Sequence, residues 1–418
     1  MNKEKIITGL DIGTGMIKIL SALKKPNQEE LEVLSFHQEP SFGVRRGVVV
    51  NINKVAEIIV SLIRKVEKET GQKINNVYAN IGGSHIFSAS SHETIAVSRA
   101  DQKIFEEDIN RILQAAQTFP LSVNKEILDI FPKEFIVDGE KGIKEPIGMK
   151  GGRLEAEMLV VGGFSPYIKN LTQAILNSGL QRIDDIVSNP LASARAVLAE
   201  QEKELGVVLL DIGAGTTDLA VFEEGTLMGL TIIPIGSTNI TYDITVGLKT
   251  DIETAERIKL EFGSVQTSSL LKEKIKKKKK NSKKNFDFLS ERIKIEGDEP
   301  IFFSKKILRE IIESRVKEIF REVQKELKKI SKTGSLPAGV VLTGGGAKLP
   351  KIKDFCKKEL KLPCRIGLVQ GLFPPQDDSA LSSVCGLVLA GADLEKENQI
   401  FQGGFMDKIK KILKNFIP

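Results

Sequence analysis

The chain has 418 residues, of which 41% are hydrophobic, so it is long enough for two to four globular domains. Its three cysteines, Cys356, Cys364 and Cys385, are too few and too irregularly spaced for a zinc site or a disulfide framework, which predicts reduced thiols in a cytoplasmic protein. The net charge of +6 is concentrated in residues 271–284, with nine Lys and one Glu, and residues 405–418, with four Lys and one Asp, so the body is mildly acidic and nucleic-acid binding is disfavoured.

The first predicted element is a β-hairpin over residues 4–23, with the turn Asp11-Ile12-Gly13-Thr14-Gly15 between two apolar strands. Glycines permit a tight turn that directs backbone N–H groups at an anion, and Asp11 at the strand end is placed to hold a hydrated cation. The strand begins close to Met1, and no apolar run approaches the ~20 residues of a membrane span. The sequence therefore predicts neither a signal peptide nor a transmembrane helix.

Helical spacing of apolar residues predicts a helix over 48–69, followed by a strand over 77–81 that ends at Gly82-Gly83. The pattern then becomes mixed from residue 84 to about 163, with a helix at 106–118 and strands at 127–137 and 154–161, which indicates a small inserted subdomain. Two further helices are expected at 166–178 and 190–201.

The turn returns as Asp211-Ile212-Gly213-Ala214-Gly215, with an apolar run before it and Thr216-Thr217-Asp218 after it. Hydroxyls and amides suit phosphate oxygens, and Asp211 and Asp218 suit a Mg²⁺ ion that keeps most of its waters. One such turn is usually an ordinary β-turn, but two with matched flanks predict two hairpins that clamp the phosphates of one nucleotide.

A second insertion opens at Ile235-Gly236-Ser237 and is mostly helical, with helices at 252–262 and 305–329. Its lysine run, residues 272–284, is typical of a solvated loop, with a lipid contact or a partner site as alternatives. A buried strand at 338–343 then leads into Gly344-Gly345-Gly346, where bare backbone lets an adenosine approach a helix expected at 348–360. A last helix is expected at 380–390.

The order hairpin, hairpin, triple glycine resembles the superfamily of actin, Hsp70 and the sugar kinases. In detail the chain resembles the bacterial cell-division FtsA family over nearly its whole length. The stretch from Ile127 to Glu155 matters most, because it lies in a subdomain that actin, MreB-type filaments and Hsp70 lack at that place. The resemblance rests on residues 127–139, 145–149, 152–155, 235–237, 241–244, 255–259 and 341–347.

The resemblance implies an α/β, actin-like (ribonuclease H-like) duplicated fold with two nucleotide-binding halves, 1A and 2A, and inserted subdomains 1C and 2B. The expected ranges are 1–83, 164–205 and about 380–395 for 1A, 84–163 for 1C, 206–236 and 334–379 for 2A, 237–333 for 2B, 396–404 for a linker and 405–418 for a membrane-targeting helix.

The resemblance also implies that ATP with Mg²⁺ lies between the halves, with Asp11 and Asp211 holding the metal through water. Lys18 falls where actin has a lysine near the phosphates, although a strand lysine pointing to solvent is the alternative. Glu256 and Lys259 match the ribose and adenine contacts, with an exposed helical pair as the alternative. The remaining expected contacts are Gly13, Thr14 and Gly15; Gly213, Gly215, Thr216 and Thr217; Gly236; and Gly344, Gly345 and Gly346.

Hydrolysis needs a side chain that orients the attacking water. Where actin-like proteins often carry Gln or Glu, this chain has Asn189, followed by Pro190, and no carboxylate. Asn189 can position water but is a poor base. We therefore expect ATP binding with weak or slow turnover at most.

Residues 405–418 predict an amphipathic helix, with its apolar residues within one arc of about 140°. Such a helix lies in a membrane interface, where lysines are attracted to anionic lipid, with docking on the protein's own body as the alternative. The apolar arc holds Phe405, Met406, Ile409, Ile412, Leu413, Phe416 and Ile417, and the polar side holds Lys408, Lys410, Lys411 and Lys414.

The resemblance implies a peripheral protein on the cytoplasmic face of the cell membrane at the division septum. It would polymerise through 1C, contact other division proteins, and bind the C-terminal tail of the tubulin-like protein FtsZ on 2B, through Lys305, Lys306, Arg309 and Arg315. A solvated helix face is the alternative for those four.

Other classes of protein with the same core fold are the alternatives for the whole chain. PilM-like pilus proteins lack the basic tail, a sugar kinase needs a further catalytic aspartate, and an Hsp70 needs a long substrate-binding region.

Overall fold

The computed structural model describes residues 4–26, 28–265, 292–295, 301–331 and 336–400. The lysine run at 272–284 and the amphipathic segment at 405–418 lie outside these residues, so the expectations for both rest on sequence. None of the helices in the described ranges has the length and apolar content that crossing a bilayer requires.

The first half is built on a six-stranded sheet with the order β11-β6-β1-β2-β3-β19, in which β19 comprises Leu372–Phe373. Strands β1 to β3 form an antiparallel meander, and β6 and β11 continue it in parallel. Helices α1 and α3 cover one face. The elements are β1 (Lys5–Ile12), β2 (Met16–Lys24), β3 (Leu31–Pro40), β4 (Val44–Arg45), β5 (Val48–Val49), α1 (Ile52–Thr70), β6 (Asn76–Ile81), α3 (Ser165–Leu176), β11 (Arg182–Ser188), α4 (Asn189–Val197) and α5 (Glu200–Leu205).

The second half repeats this plan in a five-stranded sheet with the order β14-β13-β12-β17-β18. Again a three-stranded antiparallel meander is followed by two parallel strands. The elements are β12 (Val207–Ile212), β13 (Thr217–Glu223), β14 (Thr226–Ile233), β17 (Gly339–Thr343), a 3₁₀ turn (Gly345–Lys348), α9 (Ile352–Leu360) and β18 (Cys364–Ile366). The matched strand orders confirm the duplicated fold.

Two insertions interrupt the halves. The first is a four-stranded sheet, β7-β10-β8-β9, covered by α2 around its own apolar core. The second carries three helices and a short hairpin in the described part of the chain. The elements are β7 (Phe87–Ala96), α2 (Glu106–Ala116), β8 (Lys125–Val137), β9 (Glu140–Ile143) and β10 (Arg153–Phe164), then α6 (Ser237–Leu248), α7 (Ile252–Phe262), β15 (Arg292–Ile295), β16 (Ile301–Ser304) and α8 (Lys305–Ile330).

Strand β12 shows how the two halves share their cores. Val207 and Leu209 pack in the core of the first half, whereas Val208 and Leu210 pack in the core of the second. Alternation with a period of two is what a strand buried on both faces requires. Asp211, at the end of this strand, is therefore held at the boundary between the halves.

Two predicted helices have different bounds in the structure. The helix expected at 190–201 is broken at Leu198, which is extended (φ −98°, ψ 131°), and α5 restarts with Glu202 accepting from the N–H of Ala199 at 3.0 Å. The helix expected from residue 348 begins at Ile352, because Pro350 lacks an N–H and restricts Leu349 to an extended backbone.

The C-terminal elements also correct the expected boundaries. The strand β19 (Leu372–Phe373) pairs with β3, so the chain rejoins the first sheet within the range 334–379 that we expected to belong wholly to the second half. After a 3₁₀ turn (Ser379–Leu381), the helix α10 (Ser382–Ile400) runs ten residues beyond the expected end at 390. No proline interrupts residues 391–400, so the expected linker at 396–404 begins inside the helix.

Candidate functional site

The two glycine turns lie tip to tip. A Cβ on Gly15 would stand 2.9 Å from Cβ of Ala214, and a Cβ on Gly215 would stand 2.7 Å from the hydroxyl of Thr14. Only glycine permits this approach. Within each turn the N–H of the first glycine closes the hairpin, from Gly13 to the Met16 carbonyl at 3.1 Å and from Gly213 to the Thr216 carbonyl at 2.9 Å. The first glycines therefore shape the turns.

The aspartates of the two turns occupy equivalent places in their hairpins. Asp11 pairs across the strands with Lys18, and Asp211 pairs in the same register with Asp218. The ammonium of Lys18 donates to Oδ2 of Asp11 at 2.8 Å. This contact places Lys18 at the loop, as the resemblance implies, and excludes the alternative that its side chain points to solvent.

Asp11 has a second partner that the sequence did not single out. Asn80, at the end of β6, donates from Nδ2 to Oδ1 of Asp11 at 2.6 Å and accepts from the N–H of Ile12 at 2.7 Å. All three residues are buried. The sequence signal for Asn80 is a polar residue inside an otherwise apolar strand that ends at Gly82-Gly83.

Asp211 is held by hydroxyl groups from two helices. Ser193 on α4 donates to Oδ2 of Asp211 at 2.5 Å, and Ser383 on α10 donates to the same oxygen at 3.4 Å. The two serines lie 2.9 Å apart, Oγ to Oγ. Both were missed by sequence reasoning, because serines on buried helix faces resemble ordinary core residues.

The charges at this boundary do not balance. Three buried carboxylates, Asp11, Asp211 and Asp218, lie at this boundary, and the ammonium of Lys18 pairs with Asp11. Burial and the neighbouring Asp11 raise the pKa of Asp211, although the Ser193 hydrogen bond opposes this. Burial and the charge of Asp211 raise the pKa of Asp218 to about 7. Burial acts to lower the pKa of Lys18, but the carboxylates around it outweigh burial and raise it. Excess negative charge of this kind favours a bound cation.

Because the pKa of Asp218 is raised, the nucleotide-free protein is expected to lose stability relative to its Asp218→Asn variant as the pH rises. An unfolded aspartate ionises near 3.8, whereas Asp218 in the fold ionises near 7. Between these values the unfolded state binds fewer protons, so the free energy of unfolding falls as pH increases and levels off above about 7. Urea unfolding of both proteins across this window measures the gap. A gap independent of pH would contradict the expectation.

Asn189 bridges two polar side chains, one from each half. Its side-chain carbonyl accepts from Nδ2 of Asn80 at 2.9 Å, and its Nδ2 donates to Oδ2 of Asp218. Both polar ends of the side chain therefore hydrogen-bond to the protein. Oδ1 of Asp218, by contrast, is buried without a hydrogen-bond partner.

The triple glycine lies directly against the second loop. Gly344 has a positive φ of 82°, and a Cβ there would overlap Oδ1 of Asp211. A Cβ on Gly346 would overlap the side chain of Ile212, whereas the Cα of Gly345 faces open space. The turn is fixed by the Gly344 N–H, which donates to the Ser379 carbonyl at 3.0 Å. Bare backbone is thus presented beside Asp211.

The residues after the second turn serve the fold as well as the site. The hydroxyl of Thr217 donates to the Ile235 carbonyl at 2.8 Å, so it is used within the protein. Thr216 is buried at the turn and contributes a hydrogen bond to Asp218. A Cβ on Gly236 would stand 2.5 Å from the Ala214 carbonyl oxygen, which brings the start of α6 against the turn.

Glu256 and Lys259 form a partly buried network on α7. Lys259 pairs with Glu256 at 2.7 Å and donates to the hydroxyl of Thr241 at 2.8 Å, and that hydroxyl donates to Glu256 at 2.5 Å. Lys259 also reaches the Ser237 carbonyl at 3.4 Å. The side chain of Lys259 is 10% exposed, which excludes a purely exposed helical pair and joins α7 to the start of α6.

The four basic residues expected to bind an acidic tail do not share one open face of α8. Arg315 is engaged by Asp243, at 2.6 and 2.8 Å, and by Glu318 at 2.5 Å. Nε of Arg309 is buried, and Lys306 pairs with Glu310 at 3.9 Å. At the start of the helix Lys306 is exposed, whereas Lys305 is half-buried.

No group of three or more His, Cys, Asp or Glu side chains is arranged to coordinate a metal directly in the described part of the chain. The three carboxylates at the boundary can instead hold a hydrated cation. The unpartnered oxygen of Asp218 and the raised pKa of Asp211 fit such an ion, because a divalent charge offsets both.

Sequence comparisons identify the family that this chain resembles. A family model described as "Cell division protein FtsA" matches residues 208–386, and one described as "SHS2 domain inserted in FTSA" matches residues 83–162. The cell division protein FtsA of Pseudomonas aeruginosa is 34% identical over 94% of this chain and 90% of its own length. The FtsA protein of Neisseria meningitidis is 32% identical over 99% of both chains.

Comparisons with solved structures agree on the fold. A chain of the PilM-PilN type IV pilus biogenesis complex has a TM-score of 0.62 at 15% identity, covering 92% of this chain and 98% of that one. MreB5 of Spiroplasma citri bound to ADP has a TM-score of 0.55 at 14% identity, covering 96% and 99%. At these identities the likeness shows the actin-like fold alone.

Proposed function

The chain belongs to the FtsA family of cell-division proteins, and on that premise we propose that it is an ATP-controlled, membrane-attached filament protein that tethers FtsZ during division. Membership is shown by identities above 30% over nearly the full length of several relatives.

The observation that carries the nucleotide part is the pair of facing glycine turns with three buried carboxylates, one lysine and a bare Gly344-Gly345-Gly346 turn beside them. This combination suits a phosphate chain that arrives with a divalent cation and an adenosine that needs open backbone. MreB5, which shares the fold, has been solved with ADP and with AMPPNP. We therefore assign the boundary to ATP.

Mg²⁺ would be held through water by Asp11 and Asp211, and when bound it would neutralise phosphate charge. Lys18 would remain close to Asp11 and face the phosphates, while Glu256, Lys259 and Gly236 would border the sugar and base. Titration with a fluorescent ATP analogue in the presence and absence of Mg²⁺ tests this assignment. Saturable binding that weakens without Mg²⁺ supports it, and lack of binding by the purified full chain would overturn it.

Slow turnover is part of the proposal because Asn189 is a poor base where a carboxylate would activate the attacking water. Its hydrogen bonds to Asn80 and Asp218 hold the amide in one orientation. In this proposal bound ATP mainly sets the relative position of the two halves. Phosphate release at the typical enzyme rate of about 10 s⁻¹ would contradict it.

Membrane attachment is assigned to residues 405–418, whose composition is that of a basic amphipathic helix. We expect the full chain to sediment with liposomes that contain anionic lipid, and a version ending at Gly404 to stay largely in the supernatant. A full chain with Lys410→Glu and Lys411→Glu is a matched control, because it keeps the apolar arc and reverses charge. If the truncated and full chains sediment alike, the segment is not the anchor.

Assembly into a filament would strengthen membrane attachment beyond that of a single subunit. One short amphipathic helix binds reversibly, but each subunit added to a filament places another at high local concentration. We propose that the inserted sheet β7-β10-β8-β9 bridges neighbouring subunits and that the FtsZ tail docks on the second insertion near Lys305 and Lys306, which leaves Arg309 and Arg315 in a structural role. The fold likeness to PilM does not favour a pilus function, since it shows the fold alone.

A further inference from the structure

A continuous chain of side-chain hydrogen bonds crosses the boundary between the halves. It runs from Asp11 to Asn80, from Asn80 to Asn189, and from Asn189 to Asp218. Asp11, Asn80 and Asn189 belong to the first half, and Asp218 lies on β13 of the second. These hydrogen bonds therefore connect Asp11, which pairs with Lys18 in the first hairpin, to Asp218, which pairs with Asp211 in the second.

The orientation of each amide in this chain is determined by its partners. The backbone N–H of Ile12 can only donate, so it sets the orientation of the first amide. Oδ1 of Asn80 accepts from the N–H of Ile12 at 2.7 Å, which leaves its Nδ2 to donate both to Asp11 at 2.6 Å and to Asn189 at 2.9 Å. Asn189 must then present its carbonyl to Asn80 and its NH₂ to Asp218.

We propose that Asn80 is a positioning residue that couples Asp11 in the first phosphate loop to Asp218 beyond the second, acting through Asn189. A shift of Asp11 changes the hydrogen bonds of Asn80, and Asn80 in turn sets the side chain that holds Asp218. The role in nucleotide binding rests on the proposed function, whereas the coupling itself is a property of the nucleotide-free protein. Asn80 is 4% exposed and contacts the two amides and the carboxylate from the sheet side.

A double-mutant cycle tests the coupling. In the described residues Asn80 and Asp218 share no direct hydrogen bond, and the hydrogen-bonded route between them passes through Asn189. Asn80→Ala, Asp218→Asn and the double variant are compared by ATP affinity and by urea unfolding without nucleotide. We expect their combined effect on affinity to differ from the product of the single effects by at least about threefold.

The same cycle in an Asn189→Ala background distinguishes positioning from packing. Coupling that passes through Asn189 disappears there, and the effects multiply to within about twofold. If the effects already multiply in the natural background, or if coupling persists without Asn189, the proposal is wrong. Asn80→Ser replaces Asn80→Ala if the alanine variant does not fold, because a serine hydroxyl is too short to bridge both partners.

Asn76→Ala is the matched control. Asn76 lies four residues earlier on the same strand, and its amide donates to Asp184, away from the loops. Its substitution should leave the effect of Asp218→Asn unchanged. A wild-type chain that binds no ATP would contradict the proposed function, and the unfolding cycle would then decide on its own whether the coupling exists.

Discussion

Replacing Asp211 with asparagine will weaken Mg-ATP binding by about 10- to 100-fold while making the nucleotide-free protein more stable. Asparagine has nearly the same shape, and its carbonyl oxygen can still accept from Ser193. What it loses is the negative charge that a hydrated cation needs. The affinity range corresponds to one interaction with a charged group.

The gain in stability comes from removing the same negative charge when no cation is bound. Burial and the charge of Asp11 raise the pKa of Asp211, so its ionised form is costly in the empty fold. Removing that charge is expected to increase the free energy of unfolding. Nucleotide titration and urea unfolding on the same preparations measure the two effects.

An exposed aspartate in the same half provides the control. Asp354→Asn on α9 makes the same change in net charge away from the loops and should alter neither quantity appreciably. Loss of both affinity and stability in Asp211→Asn would show that the carboxylate supports the fold, which would contradict the assignment to a cation.

Replacing Gly386 with alanine will destabilise the protein by about 3 kcal/mol. Helix α10 crosses α4 so closely at this point that a Cβ on Gly386 would overlap the backbone carbonyl of Ala192. A carbonyl in a helix cannot move aside as a flexible side chain can. The better helix propensity of alanine, up to about 1 kcal/mol, offsets only part of the clash.

The same substitution should also reduce ATP affinity. Ser193, next to Ala192, and Ser383, one turn before Gly386, both donate to Asp211, so separating the helices moves its hydrogen-bond donors. Thermal unfolding and ATP titration check the two expectations. Gly391→Ala on the same helix meets the ring of Tyr78 at 2.6 Å, which can shift, so its cost should be smaller. Equal losses of stability in the Gly386→Ala and Gly391→Ala variants would contradict the expected clash with the backbone of α4.

The fold and the two loops were predictable because their signals are local. The turns at Asp11 and Asp211 recur with matched flanks, and the hydrophobic periods of α1 and α7 define their helices. The family resemblance supplied the order of domains. Both depend on residues that are near one another in sequence.

The surroundings of the carboxylates were not predictable, because they are assembled from distant segments. Asn80 is 69 residues from Asp11, and Ser383 is 172 residues from Asp211. Apart from the polar side chain of Asn80 in an apolar strand, nothing in the local pattern distinguishes these side chains from ordinary core residues. The hydrogen bonds of Asn189 to Asn80 and Asp218 also join residues that are distant in sequence.

Helix α10 starts at the boundary between the halves, where Ser382 and Ser383 meet Ser193, and ends at Ile400, five residues before the amphipathic segment begins. Its 19 residues extend for about 28 Å. A tilt of about 5° at the first turn would displace the far end by about 2.5 Å. In the proposed function, a small movement beside Asp211 would therefore become a larger displacement at the end of the helix that leads to the proposed membrane segment.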